Sequence, residues 1–208
     1  MIYLSGGIPA GLRALSHTAP VGLMVQPGNN LIAQVDRFAH WGADNGCYAK
    51  GDSFDLAGYY QYLDRPTAEV RARCLFATAP DVVGDAAATW VRSRYILPDL
   101  RALGYPAALV AQDGIRAADL DWDAFDALFV GGSTQFKYQE STTALVREAR
   151  SRGKWCHLGR VNTQNRIRWA RWVGYDSLDG TKLAIEPGAL RRVLGWVVKA
   201  NRQATLFQ

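Results

Sequence analysis

Gly174-Tyr175-Asp176-Ser177-Leu178-Asp179-Gly180-Thr181 reads as a short buried strand that ends on a carboxylate and passes at once into glycine. A carboxylate at a strand's carboxyl end can serve as base, metal ligand or nucleophile. Three earlier segments have the same build: Trp41-Gly42-Ala43-Asp44-Asn45-Gly46, Ala79-Pro80-Asp81-Val82-Val83-Gly84-Asp85 and Val110-Ala111-Gln112-Asp113-Gly114. Each runs from apolar residues to a polar or acidic one and then to glycine. Such repetition is expected where many parallel strands end on one shared face.

On either side of these segments β-rich runs recur with helix-length spacers, the signature of β/α units around a parallel sheet. The expected strands are 2–4, 22–25, 41–44, 74–78, 107–111, 127–130, 155–158 and 177–179. Between them the pattern predicts a helix over 54–63 capped by Ser53 or Asp52, and another over 86–103 capped by Asp85, broken at Pro98 and stopped by Gly104. Further helices are expected over 142–152, over 164–173 with Gly174 as its stop, and from Pro187 to about Ala200. Gly6 to Pro20 has little periodicity, so any helix there is short. Eight units in 208 residues predict one α/β domain, 1–208, folded as a compact (β/α)8 TIM barrel. An open doubly wound sheet is the second reading.

Composition describes an ordinary globular chain, 49% hydrophobic and 21% charged. No apolar run approaches the ~20 residues of a membrane span. Met1 to Ser5 lacks a basic leader and is expected to be the first strand. The three dispersed cysteines, Cys47, Cys74 and Cys156, suit a reducing cytoplasm, and neither they nor His17, His40 and His157 show metal-ligand spacing. No metal or cofactor is expected. From Arg147 to Arg202 there are thirteen Lys and Arg against four acids. That imbalance fits either an anionic partner such as nucleic acid or a solvated basic surface on the outer helices.

In a barrel, Asp44, Asp81, Gln112, Gly131-Gly132, Gly159 and Asp179 all fall at strand ends on one face. Asp44 and Asp179 each read singly as turn residues, but two carboxylates in one pocket can divide acid and nucleophile roles. Gln112 can read a base edge or be a satisfied core amide. Gly131-Gly132 can admit a flat ligand or simply turn. Asp85 is better placed as a helix cap than in a site.

These segments, in this order, resemble the tRNA-guanine transglycosylase family over roughly residues 41–181. Ala43-Asp44-Asn45-Gly46-Cys47-Tyr48 is similar to its D-S-G-G-F-Q segment, and Leu109-Val110-Ala111-Gln112-Asp113-Gly114 to its V-Q-G-G segment. Phe129-Val130-Gly131-Gly132 resembles the base-holding G-G loop. His157-Leu158-Gly159 with Gly174-Tyr175-Asp176-Ser177-Leu178-Asp179 resembles the G-V-G and G-V-D-x-F-D block. The resemblance implies Asp179 as nucleophile, Asp44 as acid and base, and Asp81, Gln112, Gly131, Gly132 and Gly159 around the base.

Two departures stand out. Gly180-Thr181-Lys182 replaces the P-T-R of the tRNA-acting members, and their zinc cluster is missing. The chain therefore looks closer to the compact, zinc-free branch that modifies DNA in bacteriophages and bacterial modification islands. That implies exchange of guanine in DNA (tRNA less so) for a 7-deazaguanine base, in the cytoplasm, or the host's if phage-encoded. Arg160, Arg166, Arg168 and Lys182 are expected to hold phosphates, with a homodimer or an accessory protein open as the way the DNA groove is completed. A base glycosidase of the same fold and a non-catalytic nucleic-acid-binding subunit are the other readings.

Overall fold

Parallel strands buried on both faces favour near-continuous apolar runs, and eight strands, most of them of that kind, close in sequence order into a barrel. They are β1 (Ile2–Ser5), β2 (Val21–Val25), β3 (Trp41–Ala43), β4 (Cys74–Thr78), β5 (Ala107–Ala111), β6 (Ala127–Val130), β7 (Trp155–Leu158) and β8 (Ser177–Gly180). The structure is a computed structural model, and it describes residues 1–204. Closure is carried by β8 against β1, with Ile2 opposite Ser177 and Ser5 opposite Gly180, so the chain is a (β/α)8 barrel and not an open sheet. Among the described residues no helix is long and apolar enough to cross a membrane.

Period-two alternation sorts each strand. Leu4, Met24, Phe76, Val110 and Phe129 meet inside the barrel as an apolar plug. Leu23, Trp41, Leu109, Leu128, Leu158 and Leu178 belong to the larger core between strands and helices. Glycine makes the plug possible at two points. A Cβ on Gly42 would sit 2.9 Å from Phe76 Cζ, and one on Gly22 would sit 2.3 Å from the His40 carbonyl oxygen. The first neighbour is a side chain that can tilt, but the second is backbone. Gly22→Ala is therefore expected to cost about 3 kcal/mol in urea unfolding; a variant as stable as wild type would refute this close approach.

The helices follow their expected spans with four corrections. The helix Leu56–Leu63 is capped by Asp55, which accepts from Gly58 N, whereas Ser53 turns back to Lys50 O; the Asp52 side chain lies outside the described residues. The long segment after β4 forms Ala86–Ser93 and Ile96–Ala102, breaking at Arg94-Tyr95 and not at Pro98. Pro98 sits in the first turn of the second helix, where its missing N–H leaves no bond unmade. The helix that leads into β7 begins earlier than expected, at Glu140, and the last helix begins at Ala189, set off from Pro187 by Gly188 in the left-handed region. Asp85 caps Ala86–Ser93 as expected, and Gly174 terminates Gln164–Val173 at φ 112°. Between β1 and β2 there is one four-residue helix, Leu12–Leu15.

Candidate active site

Residues that continue the lumen-facing parity of the strands one step past the plug form a polar rim. Asp179 occupies it on β8, with Leu4 of β1 opposite in register. Its Oδ1 is held twice, by His157 Nε2 at 3.0 Å and by the Arg160 backbone N–H at 3.2 Å. Among the described residues no donor reaches Oδ2. His157 is fully buried on β7, packed against the rings of Phe76 and Phe129 at 4.9 and 4.5 Å. Burial is the main cause that lowers its pKa, and the bond to Asp179 opposes it. The other ring nitrogen, Nδ1, lies 2.8 Å from Ser177 Oγ, which also accepts from Trp155 Nε1 at 2.9 Å.

Arg160 is the one non-glycine residue with positive φ (62°) among those described. Such a backbone costs about 1–3 kcal/mol and persists only where surrounding contacts hold it. Here its N–H bonds Asp179, its guanidinium donates to the carbonyls of Gly131 and Gly132, and it lies 4.6 Å over the exposed Tyr48 ring. The side chain thereby ties the ends of β6 and β7 to the segment after β3. Beneath it Lys137, 3% exposed, donates to Gly159 O at 2.8 Å. Burial, with help from Arg160, brings its ammonium down to about 8.

Asp44 stands at β3's exit, half-buried and close enough to feel the charge of Asp179, with Oδ1 accepting from Gly46 N at 3.1 Å. Loss of solvent pushes its carboxyl up to about 7; Gly46 pulls the other way, and the negative charges of Asp179 and Asp81 push further. A carboxyl poised there can give a proton and take one back near neutrality.

Asp81 and Gln112 also arrive at the rim, but they bind protein groups. Asp81 Oδ1 accepts from Asn45 Nδ2 at 3.0 Å and its Oδ2 from Gln112 Nε2 at 2.6 Å. Gln112 Oε1 in turn accepts from the backbone N–H of Gly84 and Gly132, at 2.9 and 3.1 Å. The structure thus satisfies Gln112 internally, as the core-amide reading has it, and this amide pins the loop after β4 to the loop after β6. Burial raises the Asp81 carboxyl, with Asn45 and Gln112 opposing. Gly131 has no room for a side chain, since its Cβ would meet Val110 at 2.8 Å and Gln112 Nε2 at 3.0 Å. Gly159 borders Asp179, whose Oδ1 would lie 3.5 Å from an added Cβ.

The four cations expected to hold phosphates separate. Arg160 is part of the site itself. Arg166, in the first turn of Gln164–Val173, stacks 5.0 Å over Tyr138. Arg168 is exposed further along the same helix. Lys182 pairs with Glu186 at 2.8 Å, and Arg192 also bonds Glu186. Glu148 and Asp176 likewise pair with Arg152 and Arg150, so three of the four acids in this third are spent on surface pairs.

Asn45, His157 and Lys137 are the site neighbours that the sequence reading left out. His157 carried a signal: Trp155, His157 and Gly159 alternate, so the residue before the Gly159 position on that face must look inward. Lys137 sits in the five-residue helix Thr134–Tyr138, too short to show a period. A cavity of about 360 Å³ on the barrel's flank, between Ala87, Trp90, Ile115 and Leu120, contains none of the convergent carboxylates. The strained Arg160 and the titration-shifted Asp44, Asp81, Lys137 and His157 gather at the barrel mouth, the place where a site is best supported. The chain matches no family model and no curated protein.

Proposed function

We propose that this protein is a base-exchange transglycosylase that replaces guanine in DNA with a 7-deazaguanine base. What carries the reading is one pair across the barrel mouth: Asp179, anchored by Oδ1 with Oδ2 left without a donor, and Asp44, its carboxyl pushed up to about 7. Asp179 Oδ2 attacks C1′ of a deoxyguanosine and the C1′–N9 bond breaks, leaving the sugar esterified to the enzyme. Asp44 gives its proton to the departing guanine. The incoming base then loses its N9 proton to Asp44, attacks C1′ and frees Asp179.

A base that bonds the Gly131 or Gly132 carbonyl displaces the Arg160 guanidinium, which holds both. Freed from them, that cation stands beside the exposed Tyr48, a pairing suited to a flipped-out nucleotide and its phosphate. DNA is favoured over tRNA by Gly180-Thr181-Lys182 in place of P-T-R, a feature of the sequence.

Incubation with labelled guanine, or with 7-deazaguanine bases, on DNA and on tRNA tests the reading. The expected result is incorporation into DNA. Incorporation into tRNA alone would overturn the substrate, guanine release without incorporation would make the protein a hydrolase, and no reaction with either polymer would overturn the proposal.

A further inference from the structure

We infer that His157 is a positioning residue for Asp179: a neutral imidazole whose Nε2–H holds Oδ1, so that Oδ2 remains the attacking oxygen. The inference rests on the reading of Asp179 as nucleophile and gives His157 a role that the resemblance does not assign to it.

The proton positions follow from which groups can only donate. The Trp155 indole has an N–H and no acceptor, so at 2.9 Å Ser177 Oγ must accept from it. Ser177 is fully buried, and its single hydroxyl proton finds His157 Nδ1 at 2.8 Å. Nδ1 is then the acceptor, which leaves the ring proton on Nε2, 3.0 Å from Asp179 Oδ1.

The alternatives each leave a fault. With the proton on Nδ1, the Nε2 lone pair would face a carboxylate oxygen. With both nitrogens protonated, Ser177 Oγ would accept twice while its own hydroxyl proton had no partner in a buried place. One arrangement satisfies every group.

The ring cannot swing away from this task. Phe76 and Phe129 close on it at 4.9 and 4.5 Å, and His157 stands opposite Ser177 in the β7–β8 register, one lumen-facing step below Asp179. The groups facing it are Asp179, which favours the protonated ring, and Lys137, which disfavours it. With the Arg160 N–H on the same oxygen, Asp179 is held twice, by β7 itself and by the backbone at its exit. An unanchored carboxylate would rotate about χ2 and spread its lone pairs, and misplacement by about 1 Å can cost on the order of 100-fold in rate.

Two measurements test this on the intact chain. Nitrogen-15 NMR of histidine-labelled wild type should show one imidazole as the Nε2–H tautomer, neutral at pH 7. An Nδ1–H tautomer or an imidazolium at His157 would overturn the inference, whether or not the protein exchanges bases. In single-turnover trapping of the sugar–enzyme ester, His157→Leu should slow ester formation about 100-fold with little change in the DNA concentration for half-saturation. His157→Gln, which offers an amide N–H in place of Nε2–H, should recover at least about tenfold of that loss. A His157→Leu rate within about threefold of wild type, or no recovery with Gln, would overturn it. If wild type forms no ester while the NMR shows the Nε2–H tautomer, the proposed function fails and the hydrogen-bond assignment stands.

Discussion

Asp179→Ala is expected to abolish the covalent sugar–enzyme adduct and to lower base exchange by at least about 10⁴-fold, the scale on which removal of a nucleophile acts. Alanine leaves neither carboxylate oxygen, so His157 Nε2–H and Arg160 N–H lose their shared acceptor along with the attacking atom. Asp179→Asn separates the two losses. Its amide oxygen still accepts both bonds, but it carries no anionic oxygen to attack C1′. Adduct formation should be lost in both variants, whereas thermal stability should fall mainly in Asp179→Ala. Adduct trapped at wild-type yield in Asp179→Asn would remove Asp179 from the nucleophile's place.

Asp44→Asn should show two effects of opposite sign. Exchange should fall about 10²- to 10⁴-fold, because the proton that the leaving guanine needs is gone. Stability should rise, and only at higher pH. Burial pushes the folded carboxyl up to about 7 from an ordinary value of 3.8. Between those values the folded state keeps a proton that the unfolded chain has released, so stability falls as pH climbs through that window and the full cost stands above it.

Asparagine cannot ionise and bears no such cost. Relative to wild type, the variant should gain on the order of 2 kcal/mol between pH 5 and pH 8, a figure discounted for the half-buried position. Asp81, also raised by burial, is present in both proteins and drops out of the comparison to first order. Urea unfolding at the two pH values gives the answer, and an equal difference at both would show that burial does not strain this carboxyl. A site residue that destabilises its own fold when charged is what the proposed acid–base role would require.

The barrel was legible because most of its strands are apolar runs bounded by turn residues, and their ends fall within about one residue of expectation. The helix starts were less so. Ser53, Asp52 and Asp55 all precede the same apolar period, and only the chain's approach decides that Asp55 meets Gly58 N. Pro98 looks like a break in a linear pattern, yet it is harmless once a new helix begins two residues before it.

The site divides in the same way. That Asp44, Gln112, Gly131, Gly159 and Asp179 share one rim follows from strand order and alternation, whereas Asp81 and Gly132 reach it from the loops beyond β4 and β6. Which of them face a ligand and which face each other depends on contacts between residues tens of positions apart. Gln112 shows this best: as a lone polar residue at a strand end it can read a base or serve the core. Its bonds to Asp81, Gly84 and Gly132 put it to work holding two loops together.

The parallel barrel, the end at which polar residues collect and the placing of Asp179 at the last strand's exit are all written in the order of residues along the chain. All three depend on local pattern and the two-residue period of a strand. It takes the folded barrel to bring a histidine of the neighbouring strand onto that carboxylate, to strain Arg160 into the site and to push the Asp44 carboxyl up toward neutrality. Those depend on strand register, on ring packing and on how much water closure of the barrel removes, and no local stretch of the chain encodes any of the three.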